Sequence, residues 1–141
     1  NQPRFYIYNI KTHHTILSAL VAQGKGSGRG AYAHQFSNKP RSYMSSLGLY
    51  VTDGTYIGHH NKSIRLVGLQ PGINSNAESR GIIIHQAWYV NPDFAAKYHR
   101  VGNSWGCFSL SPKSMKVALK TIANGSVLYA FDKNRNTTIL S

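Results

Sequence analysis

The residues best suited to covalent chemistry in this chain are its single cysteine, Cys107, and His85, 22 positions earlier. Cys107 lies in the Gly-flanked stretch RVGNSWGCFSLS, and His85 ends the apolar run GIIIH. Acyl transfer by a thiol needs a thiolate, a base or cation that generates it, and donors that hold the oxyanion. A neighbouring imidazole lowers a cysteine pKa from ~8.5 into the ~3.5–7.5 range. A sharp turn at Gly106 leaves backbone N–H groups to face a tetrahedral intermediate. These residues therefore predict a Cys–His acyl-transfer site.

Other roles for these side chains stay open on the residues alone. A single cysteine cannot form an intrachain disulfide, so it is a core thiol, a metal ligand or a nucleophile. A zinc site built from His85, His99 and Cys107 is the metal alternative, but its spacing matches no standard motif and the chain is poor in carboxylates. We therefore expect neither a metal nor another cofactor. The pairs His13-His14 and His59-His60 fall in predicted turns and are expected to be solvated.

Length and charge limit the function classes. The 141 residues, 41% of them hydrophobic, are enough for one domain, 1–141, with a core that needs no disulfide or structural metal. The 16 basic residues outnumber the 4 acidic ones, giving a net charge of +12, so the natural partners are anionic. The basic residues are scattered and no nucleic-acid-binding motif is present, which argues against nucleic acid. No run approaches the ~18 apolar residues of a membrane span.

The elements that must position these residues are mostly strands. RFYIYNI and TILSALVAQG predict an antiparallel hairpin, and GKGSGRG fits no phosphate-binding pattern and is interpreted as a flexible connection. SSLGLYVTDGTYIG predicts two strands about an Asp53-Gly54 turn. SIRLVGL, GIIIHQAWYV and SVLYAF predict three further strands, the second of them buried and carrying His85.

Two short helices are predicted between the last strands. The first has Asn91 as its N-cap and Pro92 at its first position. The second is capped by Ser111 and carries apolar residues at helical spacing, with Asn124-Gly125 expected to end it. The predicted fold class is therefore mainly β with one or two short helices, arranged as a small antiparallel β-sandwich or barrel-like sheet.

Three segments resemble the murein L,D-transpeptidase catalytic-domain family, a branch related to the YkuD-type L,D-transpeptidases: FSNKPRSYMSSLGLY, RLVGLQPGINSNAESRGIIIHQAWYV and RVGNSWGCFSLSP. The resemblance runs from about Phe5 to about Phe131. The family pattern is a strand ending in I-x-I-H, a variable loop and then S-x-G-C. Here these fall on IIIH with His85 and on SWGC with Ser104 and Cys107.

The resemblance implies a YkuD-like catalytic domain in which Cys107 attacks the L-to-D bond of a peptidoglycan tetrapeptide stem and His85 is the base. The thioacyl-enzyme would be resolved by the side-chain amine of a second stem, giving a 3-3 crosslink, or by water, which trims the stem. Backbone N–H groups around Gly106 and Cys107 would hold the oxyanion. Carbapenems, which inhibit the family, would acylate the same cysteine.

The chain also departs from better-known members of the superfamily, which have S-H-G-C and a polar residue two positions after the cysteine. Trp105 stands in place of that histidine and cannot accept a proton, so His99 is a candidate substitute beside His85. Gln86 follows the base, and its amide could orient His85 or contact substrate. Arg100 is a candidate partner for stem carboxylates, because a guanidinium binds a carboxylate bidentately.

These inferences lead to a bacterial envelope enzyme of the periplasm or cell surface, acting on peptidoglycan stem peptides, with anionic envelope polymers as further partners. Because the sequence opens at Asn1 without an initiating Met or signal segment, we expect a mature or trimmed chain. One alternative is an L,D-carboxypeptidase or endopeptidase that uses water as acceptor, including one secreted against a competitor's wall. The alternative from another class is a non-catalytic module that binds envelope polymer.

Overall fold

Strands dominate the structure, a computed structural model that describes residues 2–135. As the sequence predicts, the fold is mainly β with two short helices, and the N-terminal residues form an antiparallel hairpin. No helix in residues 2–135 has the length and apolar character that crossing a membrane requires. The elements are, in order, β1 (Phe5–Asn9), β2 (His14–Ala19), β3 (Gly48–Gly58), β4 (Asn61–Gly68), β5 (Ile83–Gln86), α1 (Pro92–Tyr98), β6 (Phe108–Leu110), α2 (Pro112–Thr121) and β7 (Asn124–Ala130).

Five strands form the larger sheet in the order β6-β5-β4-β3-β7, and β1 and β2 form a separate two-stranded sheet. The β4–β5, β3–β4 and β3–β7 pairs are antiparallel, whereas β5 and β6 are parallel. Most pairs are antiparallel, as the sequence predicts, and the parallel β5–β6 pair is an addition that the sequence did not indicate. A parallel pair needs a long crossover connection, which the segment containing α1 supplies here.

The Asp53-Gly54 pair does not form a hairpin turn, which corrects the sequence-based prediction. It lies in the middle of β3, where the pairing register shifts and Gly54 adopts a φ of 78°. The pair is a bulge in one long strand, because a glycine at positive φ serves a bulge as readily as a turn. The chain instead reverses at His59-His60, between Gly58 and Asn61.

Both predicted helix starts are confirmed. The Asn91 side chain accepts from the Phe94 N–H at 2.7 Å, and the Ser111 hydroxyl accepts from the Ser114 N–H at 3.1 Å. α2 ends earlier than predicted, at Thr121, and Asn124-Gly125 begins β7 instead of ending the helix.

One apolar core joins the larger sheet to α2 and to the β1–β2 hairpin. The Tyr50 ring is fully buried in this core, and its hydroxyl donates to the Ser46 carbonyl at 2.8 Å. Burial of this apolar surface stabilises β5, which carries His85, and β6, which directly follows Cys107. The largest other core side chains are Ile64, Leu66, Ile82, Ile84, Leu110 and Met115.

The Gly-rich loop packs closely against the residues around Cys107, so it is more than the flexible connection expected from its composition. Gly24 forms a bridge with Ser104, and the Lys25 N–H donates to the Ser104 carbonyl at 2.8 Å. A Cβ added at Gly24 would overlap the Tyr43 carbonyl oxygen and would lie 2.8 Å from Gly106 Cα. Glycine is needed here because two other backbone segments pass directly beside it.

We predict that Gly24→Ala lowers the free energy of unfolding by about 1–3 kcal/mol, because the added methyl displaces packed backbone. Urea denaturation measures the change. Gly30→Ala is the matched control in the same loop, since a Cβ there would meet nothing within 4 Å. Equal stability of the two variants would contradict the close packing described for Gly24.

Candidate active site

The parallel pair of β5 and β6 sets the relative position of the two predicted catalytic residues. In this pair His85 lies opposite Ser109, and Cys107 directly precedes β6. Side chains two positions apart in a strand project from the same face of the sheet. The pairing therefore places Ser109 and His85 on one face, and Cys107 lies two residues before Ser109, in the bend that leads into β6.

His85 is buried, at 2% exposure, and both of its ring nitrogens have partners. Nδ1 lies 2.7 Å from the Gln86 carbonyl oxygen, and Nε2 lies 3.1 Å from Ser109 Oγ. Because a carbonyl oxygen only accepts, the neutral ring carries its proton on Nδ1. Nε2 therefore holds the lone pair and accepts from the Ser109 hydroxyl. That hydroxyl also lies 3.4 Å from the Tyr89 hydroxyl oxygen.

Burial lowers the pKa of His85 to about 4, and the His60 ring adds to this effect, while the hydrogen bond to Gln86 opposes it. His60 stacks on His85, with ring centroids 3.9 Å apart and planes 14° from parallel. The tip of the β3–β4 hairpin thus covers one face of the buried imidazole. His60 is exposed in a turn, as the sequence predicts, and its stacking on His85 is the feature that the sequence did not indicate.

The Cys107 thiol is half-buried, with Sγ 3.5 Å from the Gly81 carbonyl oxygen. Burial raises its pKa, and a hydrogen bond from the Ile83 backbone and the positive charge of Arg80 partly offset this effect. No hydrogen bond in the described chain joins this thiol to His85. At neutral pH the resting site therefore holds a neutral thiol and a neutral imidazole, in contrast to the thiolate that the sequence suggested.

Gly106 shapes the turn before the thiol, with a φ of 126° that strongly favours glycine. Ser104 is buried and holds this turn with its hydroxyl, which donates to the Cys107 carbonyl at 2.7 Å and accepts from the Gly106 N–H at 3.2 Å. Of the two predicted oxyanion donors, the Gly106 N–H is therefore already engaged. The Cys107 N–H is the other predicted oxyanion donor.

Trp105 lies on the surface of the same turn, at 70% exposure. Its ring meets the Tyr43 ring edge to face with centroids 5.6 Å apart, and the Lys25 ammonium lies 4.2 Å from the Tyr43 centroid and 5.3 Å from that of Trp105. This arrangement leaves an exposed aromatic and cationic surface two residues before the nucleophile candidate.

The remaining predicted residues are placed less directly. Gln86 orients His85 through its backbone carbonyl, whereas the sequence suggested its side-chain amide. The Arg100 guanidinium is half-buried and donates to the Val101 carbonyl at 3.1 Å. His99 is exposed at the C-terminal end of α1 with a φ of 55°, and within residues 2–135 no ring contact or hydrogen bond joins it to His85 or Cys107.

The sequence reasoning missed three residues of the site: His60, Arg80 and Ser109. Ser109 carried a signal, because it follows the cysteine by two positions and strand alternation alone puts it on the cysteine's face. The position of His60 depends on how far β3 and β4 extend. The prediction of a turn at Asp53-Gly54 made β3 too short, so the stacking of His60 on His85 could not be inferred. Arg80 lies in a turn 27 residues before Cys107, and no local pattern in the sequence indicated that it approaches the site.

In residues 2–135, no group of three or more His, Cys, Asp or Glu side chains is placed to hold a metal ion.

We predict that acidification destabilises the protein through His85. In the unfolded chain this histidine takes up a proton near its ordinary pKa of 6.5, whereas in the fold it stays neutral down to a pKa of about 4. The free energy of unfolding should therefore fall as the pH drops from about 6.5 towards 4, by up to about 1.4 kcal/mol per pH unit. Urea denaturation at pH 7, 6 and 5 measures this slope. His85→Gln should flatten it, and an unchanged slope in that variant would contradict the assignment.

Comparison with known proteins identifies the family and the fold. A family model described as the L,D-transpeptidase catalytic domain matches residues 1–131. Among solved structures, an L,D-transpeptidase from Mycobacterium smegmatis has a similar fold, with a TM-score of 0.50 and 13% sequence identity over 84% of this chain. The chain spans 50% of the length of that structure. No curated protein sequence gives a significant match. The match over residues 1–131 shows that the chain belongs to the L,D-transpeptidase catalytic domain family.

Proposed function

We propose that this domain is a cysteine-dependent L,D-transpeptidase of the bacterial cell envelope. Cys107 cleaves the L-to-D bond of a peptidoglycan tetrapeptide stem and transfers the acyl group to the side-chain amine of a second stem, forming a 3-3 crosslink. The observation that carries the proposal is the position of the single thiol, held by the Gly106 turn two residues before Ser109, whose hydroxyl contacts a buried imidazole protonated on Nδ1. Family membership gives this pair its reaction class.

The first step forms a bond from Cys107 Sγ to the carbonyl carbon of the stem's third residue. The thiol proton passes to the Ser109 hydroxyl as Ser109 gives its own proton to His85 Nε2, because that hydroxyl already occupies Nε2. When the C–N bond breaks, the departing amine of the D-residue takes the proton from His85. The incoming amine then displaces Sγ and returns the proton through the same groups.

The resting charges support this use of His85. An imidazole whose pKa is about 4 is unprotonated at neutral pH, so its lone pair can accept a proton. It is a weak base towards a thiol whose pKa is raised, so the imidazolium must be stabilised as it forms. The Gln86 carbonyl oxygen stabilises the imidazolium that forms, because it accepts from Nδ1. The oxyanion is assigned to the Cys107 N–H, beside the Gly106 turn.

Binding of the stem is assigned to the surface around the nucleophile. Trp105, with Tyr43 and Lys25 beside it, lies next to the turn and offers apolar contact and one positive charge. Arg100 and the Gln86 amide are candidates for contacts with stem carboxylates, and His99 for a contact at the edge of the site. The net charge of +12 would hold the domain near anionic envelope polymers, an attraction that weakens as salt rises.

We predict that the wild-type protein converts disaccharide-tetrapeptide muropeptides into 3-3-linked dimers and that Cys107→Ala forms none. Mass spectrometry of the products distinguishes the outcomes. Tripeptides without dimers would identify an L,D-carboxypeptidase or endopeptidase, since water then resolves the same thioacyl-enzyme. The thermal midpoint of Cys107→Ala should lie close to that of wild type, because the thiol is only half-buried.

Cys107→Ser is the matched control, since it keeps the size of the side chain but replaces the thiol with a far weaker nucleophile. Stem peptides left unchanged by wild type and variants alike, with several donor compositions tried, would reject the enzyme and favour a module that only binds envelope polymer. Dimers formed equally by wild type and Cys107→Ala would reject the nucleophile.

We also predict that Ser109→Ala lowers kcat at least about tenfold, because the relayed proton loses its carrier. Ser109→Thr keeps the hydroxyl and should retain most of the activity. Initial rates of dimer formation at saturating stem concentration measure both variants. If Ser109→Ala turned over as fast as wild type, the proton would have to reach His85 without passing through this hydroxyl.

A further inference from the structure

Arg80 places a permanent positive charge beside the thiol, in a turn just before β5. Its guanidinium is half-buried and makes four hydrogen bonds, at 2.6 to 3.1 Å. Every acceptor is an uncharged oxygen of the 37–46 loop. These acceptors are the carbonyls of Ser37 and Met44 and the hydroxyls of Ser42 and Ser46.

Among the residues that the structure describes, this guanidinium has no carboxylate partner. Within residues 2–135 the salt bridge that meets a 4 Å limit joins Arg135 to Asp132, at 3.7 Å, and Arg80 takes no part in it. Burial lowers the pKa of Arg80, yet a guanidinium with pKa above 12 in solution stays charged at neutral pH. Removing a charge from water is costly unless an opposite charge compensates it. Neutral hydrogen bonds recover only part of that cost.

The uncompensated charge faces the nucleophile turn. A Cβ built on Gly106 would lie 3.4 Å from Arg80 Nη2, so the guanidinium lies on the side of the turn towards which a side chain at Gly106 would project. The positive charge of Arg80 favours the ionised forms of both Cys107 and Tyr50. Burial, however, raises the pKa of Tyr50 to about 12, and it also raises that of Tyr89, the other phenol that interacts with the thiol. Both phenols are therefore neutral when the thiol ionises, so the thiolate is the anion with which Arg80 can interact.

We propose that Arg80 is the fixed cation that stabilises the Cys107 thiolate as the thiol proton leaves for His85. The S–H bond breaks, its electron pair stays on sulfur, the proton ends on His85 Nε2 and the guanidinium is unchanged throughout. The inference deepens the proposed function, since it rests on Cys107 being the nucleophile. Arg80 acts through the thiol, so it is a positioning residue that supplies charge and anchors the 37–46 loop.

The test is the pH profile of thiol alkylation by iodoacetamide, which reports the thiolate fraction without any peptidoglycan substrate. Arg80→Met should raise the apparent thiol pKa by about one unit, giving about tenfold slower alkylation at neutral pH. Arg80→Lys keeps a positive charge and should shift the profile less than Arg80→Met.

Arg80 also anchors a loop, so a second pair of variants leaves it in place. Ser42 is half-buried with its hydroxyl 3.1 Å from Arg80 Nη2. Ser42→Asp puts a carboxylate on the guanidinium and should raise the thiol pKa as Arg80→Met does, because the charge is then neutralised. Ser42→Asn is the matched uncharged control and should leave the profile near that of wild type.

A raised thiol pKa in Ser42→Asp with a wild-type profile in Ser42→Asn supports the inference, whatever the stability of Arg80→Met. Identical profiles for Ser42→Asp, Ser42→Asn and wild type overturn it. The proposed function fails separately, if wild-type protein makes neither 3-3 dimers nor trimmed stems from muropeptides. Crosslinking by wild type together with unchanged Ser42→Asp alkylation would reject only the role of Arg80.

Discussion

The parallel pairing of β5 with β6 is the constraint on which the rest of the site depends. Because His85 is in register with Ser109, the bend that carries Cys107 begins two residues from the partner of the imidazole, without any direct hydrogen bond between the thiol and His85 in the described residues. The apolar side chains of both strands pack into the common core, so the geometry of the polar groups is maintained by buried hydrocarbon. Chemistry at the sheet edge thus depends on the stability of a two-strand contact only three residue pairs long.

The electrostatics of this edge follow from burial in a strongly basic protein. Carboxylates are scarce, so His85 is oriented by a backbone carbonyl instead of an acidic side chain. Burial keeps both the imidazole and the thiol uncharged in the resting state, which avoids the cost of a desolvated ion pair. In the proposed mechanism Arg80 supplies a positive charge that needs no proton transfer, and negative charge on the thiol forms only during reaction.

Local patterns in the sequence sufficed for the helix caps, the N-terminal hairpin, the buried strand of His85 and the turn at Gly106, because each depends on neighbours within a few residues. The Asp53-Gly54 turn was mispredicted because a glycine at positive φ looks the same in a bulge and in a hairpin. Arg80 and His60 could not be found, since their positions result from packing between distant segments. The parallel β5–β6 pair was missed for a related reason. Alternation and apolar character can be seen in the sequence of one strand, whereas the relative direction of two strands depends on which strands pair.

The bridge between Gly24 and Ser104 has a consequence for how the domain reaches its native state. It closes a loop of about 80 residues, and contacts of such long sequence separation form late, because the entropy of closure is lost before the contact is gained. The turn that carries the thiol is therefore completed only when the N-terminal quarter of the chain has docked on it. The backbone around Cys107 is therefore expected to reach its native shape late in folding, after the segment at Gly24 and Lys25 has docked beside it.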